Sequence, residues 1–409
     1  MALNKLWVIA YRDLLRNRRR SFFTMIAVAF GLALIIFMSG FIAGMLESSL
    51  QDNIRLNTGH VQVRADSYEE EKQSLLWRDL LDDADALLAQ VNGMSEVETA
   101  TQVLWASGVL SNIQESVGLR VTGIDPSSPI HDPIRQGLIA GEYLAPDDRS
   151  GILIGQRLAD QMGVSVGQRV SLAAGNANGQ PEEGLFTVRG LYATGFPGYD
   201  ESTVFLPLSR AQAFMGTGER ASAIVIMLHQ QEDAEGVAAA LAGPGLSTLD
   251  WMDLNSVLLT VVETGLSFYY LLYGIVILIV AVIIANTLLM AVFERTREIG
   301  ILSALGMKGR QIRLMILLEA AILALVGIAI GIFLGSAVVT YLSNTGIYIG
   351  DASSTIVQGI TLGTTMYTSF VPADILSLST WMLAIVLLVS LYPAWYASRL
   401  EPVTALQAL

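Results

Sequence analysis

The chain has 409 residues, of which 53% are hydrophobic and only 15% are charged, and its mean hydropathy is +0.53. These values exclude an ordinary water-soluble protein and indicate a membrane protein with a substantial soluble part. The net charge of −13 argues against nucleic acid as a partner. The chain has no cysteine, so no disulfide can stabilise its soluble part.

The first twenty residues are basic and precede an apolar run. They contain one lysine and five arginines against a single acid, Asp13. This pattern predicts a cytoplasmic amphipathic helix over residues 1–20, followed by a first membrane span over 21–46. Lys and Arg beside membrane spans are retained in the cytoplasm, so the N-terminus is expected on that side.

Three more apolar segments follow, at 265–293, 314–342 and 375–398. Each is long enough to cross a hydrocarbon core of roughly 30 Å, which needs about 20 residues. The connector at 294–313 and the tail at 399–409 carry basic residues, and both are therefore predicted to be cytoplasmic. The loop at 343–374 carries none and is predicted to be extracytoplasmic.

Residues 47–264 form the predicted extracytoplasmic domain, and this domain accounts for the negative charge. Residues 47 to 260 hold 29 acidic and 12 basic side chains. Helical stalks are expected to adjoin both spans, and helical segments are expected at 74–92, 155–163 and 208–216. Alternation typical of strands occurs in "GHVQVRA", "VGLRVTGID", "GQRVSLAAG", "EGLFTVRGLYATG" and "STVFLPL". The predicted fold class is a membrane α-helical protein with four transmembrane helices and a large α+β domain between the first and second.

The sequence contains no constellation of residues typical of an enzyme. The three lysines, Lys5, Lys72 and Lys308, all lie outside any Gly-Lys-Ser/Thr pattern of a phosphate-binding loop. The three histidines are isolated and have no zinc-site spacing. The acidic runs at 69–71 and 81–85 are interpreted as solvated helix faces. We therefore predict no catalytic residue, no metal site and no cofactor within this chain.

Glycines at every fourth position mark two of the predicted spans. Gly327, Gly331 and Gly335 form such a ridge in the third span, and Gly40 and Gly44 repeat the spacing in the first. Small residues at this spacing let helix backbones approach closely inside a membrane. These glycines are predicted to pack helices, either within one subunit or across a dimer.

Glu319 is the one charged residue of the third predicted span. It lies six residues beyond Arg313, or about 9 Å along a helix at 1.5 Å per residue. At this depth a carboxylate can reach the inner interface or pair with a basic neighbour. The structural interpretation is favoured over a role in transport.

The connector "ERTREIGILSALGMKGRQIRL" is too long and too patterned for a tight turn. Ile299, Leu302 and Leu305 are predicted to share one helical face, and Gly306 is predicted to end the helix. The spacing i, i+3 allows two ion pairs, Glu294 with Arg297 and Arg295 with Glu298. The pattern predicts a short amphipathic helix at the cytoplasmic surface, either an interfacial anchor or a docking element for a soluble partner.

The same residues resemble a known family. "ERTREIGILSALGMKGRQI" is similar to the E-R-x-x-E-I-G-x-x-x-A-x-G pattern of the FtsX/MacB-type ABC transporter permeases, the type VII or mechanotransmission class. The tail "YPAWYASRLEPVTALQAL" and the opening "RDLLRNRRRSFFTMIAVAFGLAL" resemble the ends of those permeases. The lack of a fused ATPase and the "GHVQV" segment favour the LolC/LolE-like branch.

The resemblance implies a subunit of the bacterial inner membrane with a periplasmic core plus a variable subdomain. Its implied partners are two copies of an ABC ATPase, which would bind ATP and Mg, and a second permease copy or a homologous permease. The implied residues that couple to the ATPase are Glu294, Arg295, Arg297, Glu298, Ile299, Gly300, Leu302, Leu305 and Gly306.

Three functions remain open within this resemblance. The favoured function is release or transport of lipoproteins from the inner membrane, through ATP-driven mechanical motion of the periplasmic domain. A second is MacB-like efflux of peptides or amphiphilic small molecules with a periplasmic adaptor. A third is FtsX-like regulation of cell-wall hydrolases. All three imply contact with membrane lipid and none with nucleic acid.

Overall fold

The computed structural model describes residues 12, 13, 16, 18–69, 75–348 and 365–400. Most of the predicted N-terminal helix, the middle of the 343–374 loop and residues 401–409 lie outside the described residues. The chain divides into two compact units. The membrane unit comprises Met1–Glu47, Glu263–Ile347 and Met366–Leu409, and the external unit comprises Ser48–Val262 and Tyr348–Thr365.

The helices and strands alternate along the external unit, whereas the membrane unit is helical apart from residues of two short strands. The α-helices are α1 (Arg18–Asn53), α2 (Ala84–Asn92), α3 (Asp132–Gln136), α4 (Gln156–Met162), α5 (Pro197–Ser202), α6 (Leu208–Met215), α7 (Ala234–Leu241), α8 (Trp251–Leu254), α9 (Ser256–Glu294), α10 (Thr296–Ala304), α11 (Gly309–Thr345) and α12 (Pro372–Ser398). The strands are β1 (Val61–Ala65), β2 (Val97–Ser111), β3 (Ser116–Ile124), β4 (Leu138–Gly141), β5 (Gly151–Gly155), β6 (Arg169–Gly175), β7 (Pro181–Tyr192), β8 (Thr203–Pro207), β9 (Ala223–Leu228), β10 (Leu246–Asp250), β11 (Ile347–Tyr348) and β12 (Thr365–Met366).

Four helices of the described chain, α1, α9, α11 and α12, are long and apolar enough to cross a membrane. The α+β domain lies between the first and second of them, so the predicted fold class is confirmed. Two of these helices extend well beyond the predicted spans, since α1 continues to Asn53 and α9 begins at Ser256.

In the membrane unit, the glycine ridge of α11 packs against α1 of the same chain. A Cβ atom added at Gly331 would lie 2.8 Å from the carbonyl oxygen of Ala29. The same atom at Gly327 would lie 2.7 Å from the Cβ of Val28, and at Gly335 it would lie 2.9 Å from the Cβ of Ile36. The two backbones therefore approach so closely that the three positions have no room for a side chain.

The two glycines of α1 contact a different segment, the residues that precede α12. A Cβ atom at Gly40 would lie 3.0 Å from the carbonyl oxygen of Ser369, and one at Gly44 would collide with the backbone of Tyr367. The backbone N–H of Ser369 also donates a hydrogen bond to the carbonyl oxygen of Gly40 (2.8 Å). Close approach at these glycines thus fixes the chain that leads into α12.

The external unit is built on a mixed ten-stranded sheet. The strand order is β10-β1-β9-β2-β3-β8-β5-β7-β4, and β6 pairs with both β2 and β7. Pairing is parallel between β3 and β8 and between β5 and β7. The five predicted alternating runs correspond to β1, β3, β6, β7 and β8, whereas β2, β4, β5, β9 and β10 lie outside those runs.

The predicted helices of the external unit are confirmed in two places and wrong in part of a third. The segments 155–163 and 208–216 correspond to α4 and α6. In the segment 74–92, however, α-helix begins only at Ala84. Leu81 forms an isolated β-bridge with Ala221 instead, and its N–H donates to the carbonyl oxygen of Ala221 (2.9 Å).

The packing of α11 on α1 predicts that Gly331→Leu destabilises the protein. A larger side chain at a filled contact typically costs about 1–3 kcal/mol. The control is Gly274→Leu in α9, because no atom lies within 4 Å of a Cβ added there. Unfolding temperatures in detergent should fall for the first variant and stay unchanged for the second. Equal stability of the two variants would show that the ridge does not hold α1.

Candidate functional site

The connector folds into a short helix that is separated from its neighbours at both ends. Arg295 separates α9 from α10, because its backbone leaves the helical conformation (φ −112°, ψ 16°). At the other end, Gly306 has φ 93°, a left-handed conformation that favours glycine. The N–H of Lys308 then donates to the side chain of Gln311 (2.9 Å) at the start of α11. These breaks set α10 apart as an independent element of the connector.

One side of α10 is buried in the membrane unit. Ile299 and Gly300 are both buried. Ile299 belongs to an apolar cluster that includes residues of α9, α11 and α12. The buried members of that cluster are Val292, Ile299, Ile312, Ile316, Ala394 and Ala397. The helix is therefore seated on the ends of three long helices.

The other side of α10 is exposed and partly apolar. Ile301 is 44% exposed and Leu305 is 81% exposed, and Arg297 and Ala304 are exposed beside them. The prediction that Leu305 shares the face of Ile299 is wrong, because the helix ends at Ala304 and Leu305 follows it. Leu302 is half-buried between the two sides. The exposed apolar pair is thus Ile301 and Leu305.

Arg295 is a buried cation that joins three carboxylates. Its guanidinium contacts the carboxylate of Asp13, lies 3.1 Å from Glu298 Oε2 and lies 3.6 Å from Glu319 Oε2. The predicted i, i+3 pair with Glu298 is confirmed. Burial acts to lower the pKa of Arg295, but the carboxylates of Asp13 and Glu319 outweigh it and hold that pKa above its usual range. Arg295 therefore stays charged inside the protein.

The two acids of the connector bind arginines of the N-terminal segment, residues 12–20. Arg16 Nη2 lies 2.7 Å and 2.9 Å from the two carboxylate oxygens of Glu298. Burial acts to raise the pKa of Glu298, but hydrogen bonds from Arg295 and Arg16 lower it overall. Glu294 pairs with Arg20 (2.8 Å) and not with Arg297 as predicted.

Glu319 lies at the centre of this ion-pair network. Its side chain is 4% exposed, and its two oxygens lie 3.6 Å from Arg295 and 3.9 Å from Arg20. The prediction that Glu319 pairs with a basic neighbour is confirmed. Sequence reasoning missed the contributions of Asp13, Arg16 and Arg20. The available signal was their spacing, because positions i, i+3 and i+7 share one helical face.

The four apolar helices, the short connector helix and the α+β domain are the features of a multi-pass membrane protein with a large domain between its first and second spans. Residues 21–243 match the MacB-like periplasmic core domain family, and residues 270–402 match the FtsX-like permease C-terminal family. The chain belongs to the ABC transporter permeases of the LolC/LolE/MacB/FtsX type.

Several curated proteins are similar to this chain. It is 24% identical to the lipoprotein-releasing system transmembrane protein LolC of Xylella fastidiosa, over 73% of this chain and 72% of that protein. It is 23% identical to LolC of Neisseria meningitidis, over 96% and 95% of the two chains. It is also 28% identical to the macrolide export ATP-binding/permease protein MacB of Campylobacter fetus, over 79% of this chain and 51% of that protein.

The burial of Arg295 and Glu319 predicts strong energetic coupling between them. Removing one partner of a buried ion pair typically costs about 3–5 kcal/mol, because the other charge is left unpaired. Arg295→Met should therefore destabilise the protein strongly, and Arg295→Met combined with Glu319→Gln should recover part of the loss. The measurement is a double-mutant cycle of unfolding temperatures in detergent.

The matched control is Arg310→Met, which removes an exposed cation of the predicted 294–313 connector. Arg310→Met should lower the unfolding temperature only slightly, and its effect on that temperature should be additive with the effect of Glu319→Gln. If the effects of Arg295→Met and Glu319→Gln were also additive, the buried pair would have no energetic significance.

Proposed function

We propose that the chain is the permease subunit of an ABC transporter and that a separate ATPase subunit docks on the exposed side of α10. The observation that carries this proposal is the exposed apolar pair Ile301 and Leu305 on a helix whose other side is firmly seated. In this arrangement α10 is the coupling helix. The ATPase would hold ATP and Mg, and the nine connector residues named above would position or form the docking surface.

The exposed side of α10 suits insertion into a groove of a soluble protein. Ile301 in the last turn of α10 and Leu305 directly after the helix are four residues apart, and Arg297 and Lys308 are also exposed. Amphipathic helices typically dock through such i, i+4 anchors. Basic flanks add charge complementarity for an acidic partner surface. A groove lined with apolar and acidic groups is therefore the complementary partner.

The buried side of α10 explains how a push on this helix would reach the membrane unit. Ile299 packs with residues from three long helices, and Arg295 is ion-paired to α11 through Glu319. A displaced helix with such contacts would carry its neighbours with it, because packed interiors resist compression. We propose that ATP-driven closure of two ATPase subunits moves the membrane helices of two permease subunits, and thereby the periplasmic domain.

For the substrate, we propose lipoproteins of the bacterial inner membrane, with both termini of this chain in the cytoplasm. The support is that two relatives at 24% and 23% identity are named components of a lipoprotein-releasing system. The basic residues before α1 and in the connector support the orientation.

The test is to purify the tagged chain from its native membrane in mild detergent and identify the accompanying proteins by mass spectrometry. An ABC ATPase together with lipoproteins is the expected result. An ATPase with a periplasmic adaptor and no lipoprotein would instead support efflux of amphiphiles. Purified chain that carries no ATPase would contradict the proposal.

The docking surface predicts that Leu305→Asp weakens binding of the ATPase. Loss of an apolar anchor at the centre of an interface costs about 2 kcal/mol, which corresponds to roughly 30-fold weaker binding. The amount of ATPase recovered with the tagged chain measures the effect. The control, Ile113→Asp, adds the same charge at an exposed aliphatic residue of the external unit. Full recovery of the ATPase with Leu305→Asp would exclude this side of α10 as the docking surface.

A further inference from the structure

The N-terminal segment and the connector present matching charges to each other. Residues 13, 16 and 20 lie at i, i+3 and i+7, and each pairs with a different connector residue: Asp13 with Arg295, Arg16 with Glu298, and Arg20 with Glu294. The three pairs have mixed polarity, because the cation comes once from the connector and twice from the N-terminal segment. Such a pattern fixes the register of one segment on the other.

One of these pairs connects α10 to a segment that is far away in the sequence and leads into α1. Arg16 and Glu298 are separated by 282 positions. Arg20 lies in the first turn of α1, which runs without interruption from Arg18 to Asn53. In contrast, α9 ends one residue before Arg295, where the backbone leaves the helical conformation. Arg16, two residues before α1, therefore links this helix to α10 through Glu298, whereas Arg20 links it to Glu294 at the end of α9.

We infer that α1 is a second route by which a stroke delivered to α10 enters the membrane unit, and that Arg16 is the positioning residue of this route. The inference rests on the proposed function, because it requires an ATPase that pushes on α10. It adds a specific path: from Glu298 in α10, through Arg16, into α1.

The exposure of the Arg16–Glu298 pair indicates that this pair contributes to orientation more than to stability. The side chains of Arg16 and Glu298 are 56% and 45% exposed, and exposed ion pairs typically contribute only about 0–1 kcal/mol to folding. Arg16→Gln should therefore leave a folded protein that still binds the ATPase. It should nevertheless lose the transfer of motion to α1, because Arg16 would no longer be ion-paired to Glu298 of α10.

The experiment follows the outer end of α1 in the complex purified with its ATPase and placed in lipid nanodiscs. The chain has no cysteine, so Glu47→Cys provides a single label site at an exposed position of α1. The rate of maleimide labelling is measured with and without ATP plus vanadate. We expect the labelling rate of this parent variant to differ between the two conditions. When Arg16→Gln is added, the difference between the two rates should fall by at least about two-thirds.

Three comparisons identify the cause of the change. Arg16→Lys should retain the nucleotide response, and Arg19→Gln, which removes an exposed neighbouring cation, should also retain it. Glu298→Gln should lose the response as Arg16→Gln does, and the double variant should lose no more. A double variant that loses more of the nucleotide response than either single variant would show that the two residues act separately. That result would overturn the inference.

Two further outcomes separate this inference from the proposed function. If the ATPase accompanies the parent but the response persists in Arg16→Gln, or is missing in the parent itself, then α1 is not a route for the stroke, although the docking proposal stands. If the ATPase does not accompany the chain at all, the proposed function fails, and the inference fails with it.

Discussion

The buried charges around Arg295 impose the constraint on which the membrane unit depends. A guanidinium and a carboxylate can be removed from water together only when each is paired, because an unpaired buried charge is very costly. Arg295 and Glu319 meet this requirement through each other, and Asp13, Arg20 and Glu298 complete the network. The N-terminal segment, the connector and α11 must therefore assemble as one piece.

Helix α1 is the common partner of the other contacts in this unit. Its N-terminal end is ion-paired to Glu294 at the end of α9, its middle packs on the glycines of α11, and Gly40 and Gly44 further along contact the backbone that leads into α12. Each of these contacts is short and leaves little room for independent motion. An input at α10 is consequently shared with α1, which is the physical basis for treating α10 as a coupling element.

The predictable features are those that depend on local periodicity. Alternating strands such as β3 and β7 and the pair Arg295–Glu298 follow from spacings of two and three residues. In β2, residues 100–106 are all buried, so the strand lacks the alternation that identifies a half-buried strand. The pair Arg16–Glu298 depends on tertiary packing, and no local pattern contains it. The error at Leu305 arose because its orientation depends on where α10 ends.

The most direct test of the account is a cryo-EM structure of the complex purified from its native membrane. Docking of the ATPase on α10 predicts density for that subunit against this helix, with Ile301 and Leu305 inside its groove and with Arg16 still bound to Glu298. An ATPase that contacts the chain elsewhere and leaves α10 exposed would contradict the assignment of the coupling site. A chain with no ATPase bound would contradict the central claim that it works as the permease subunit of such a transporter.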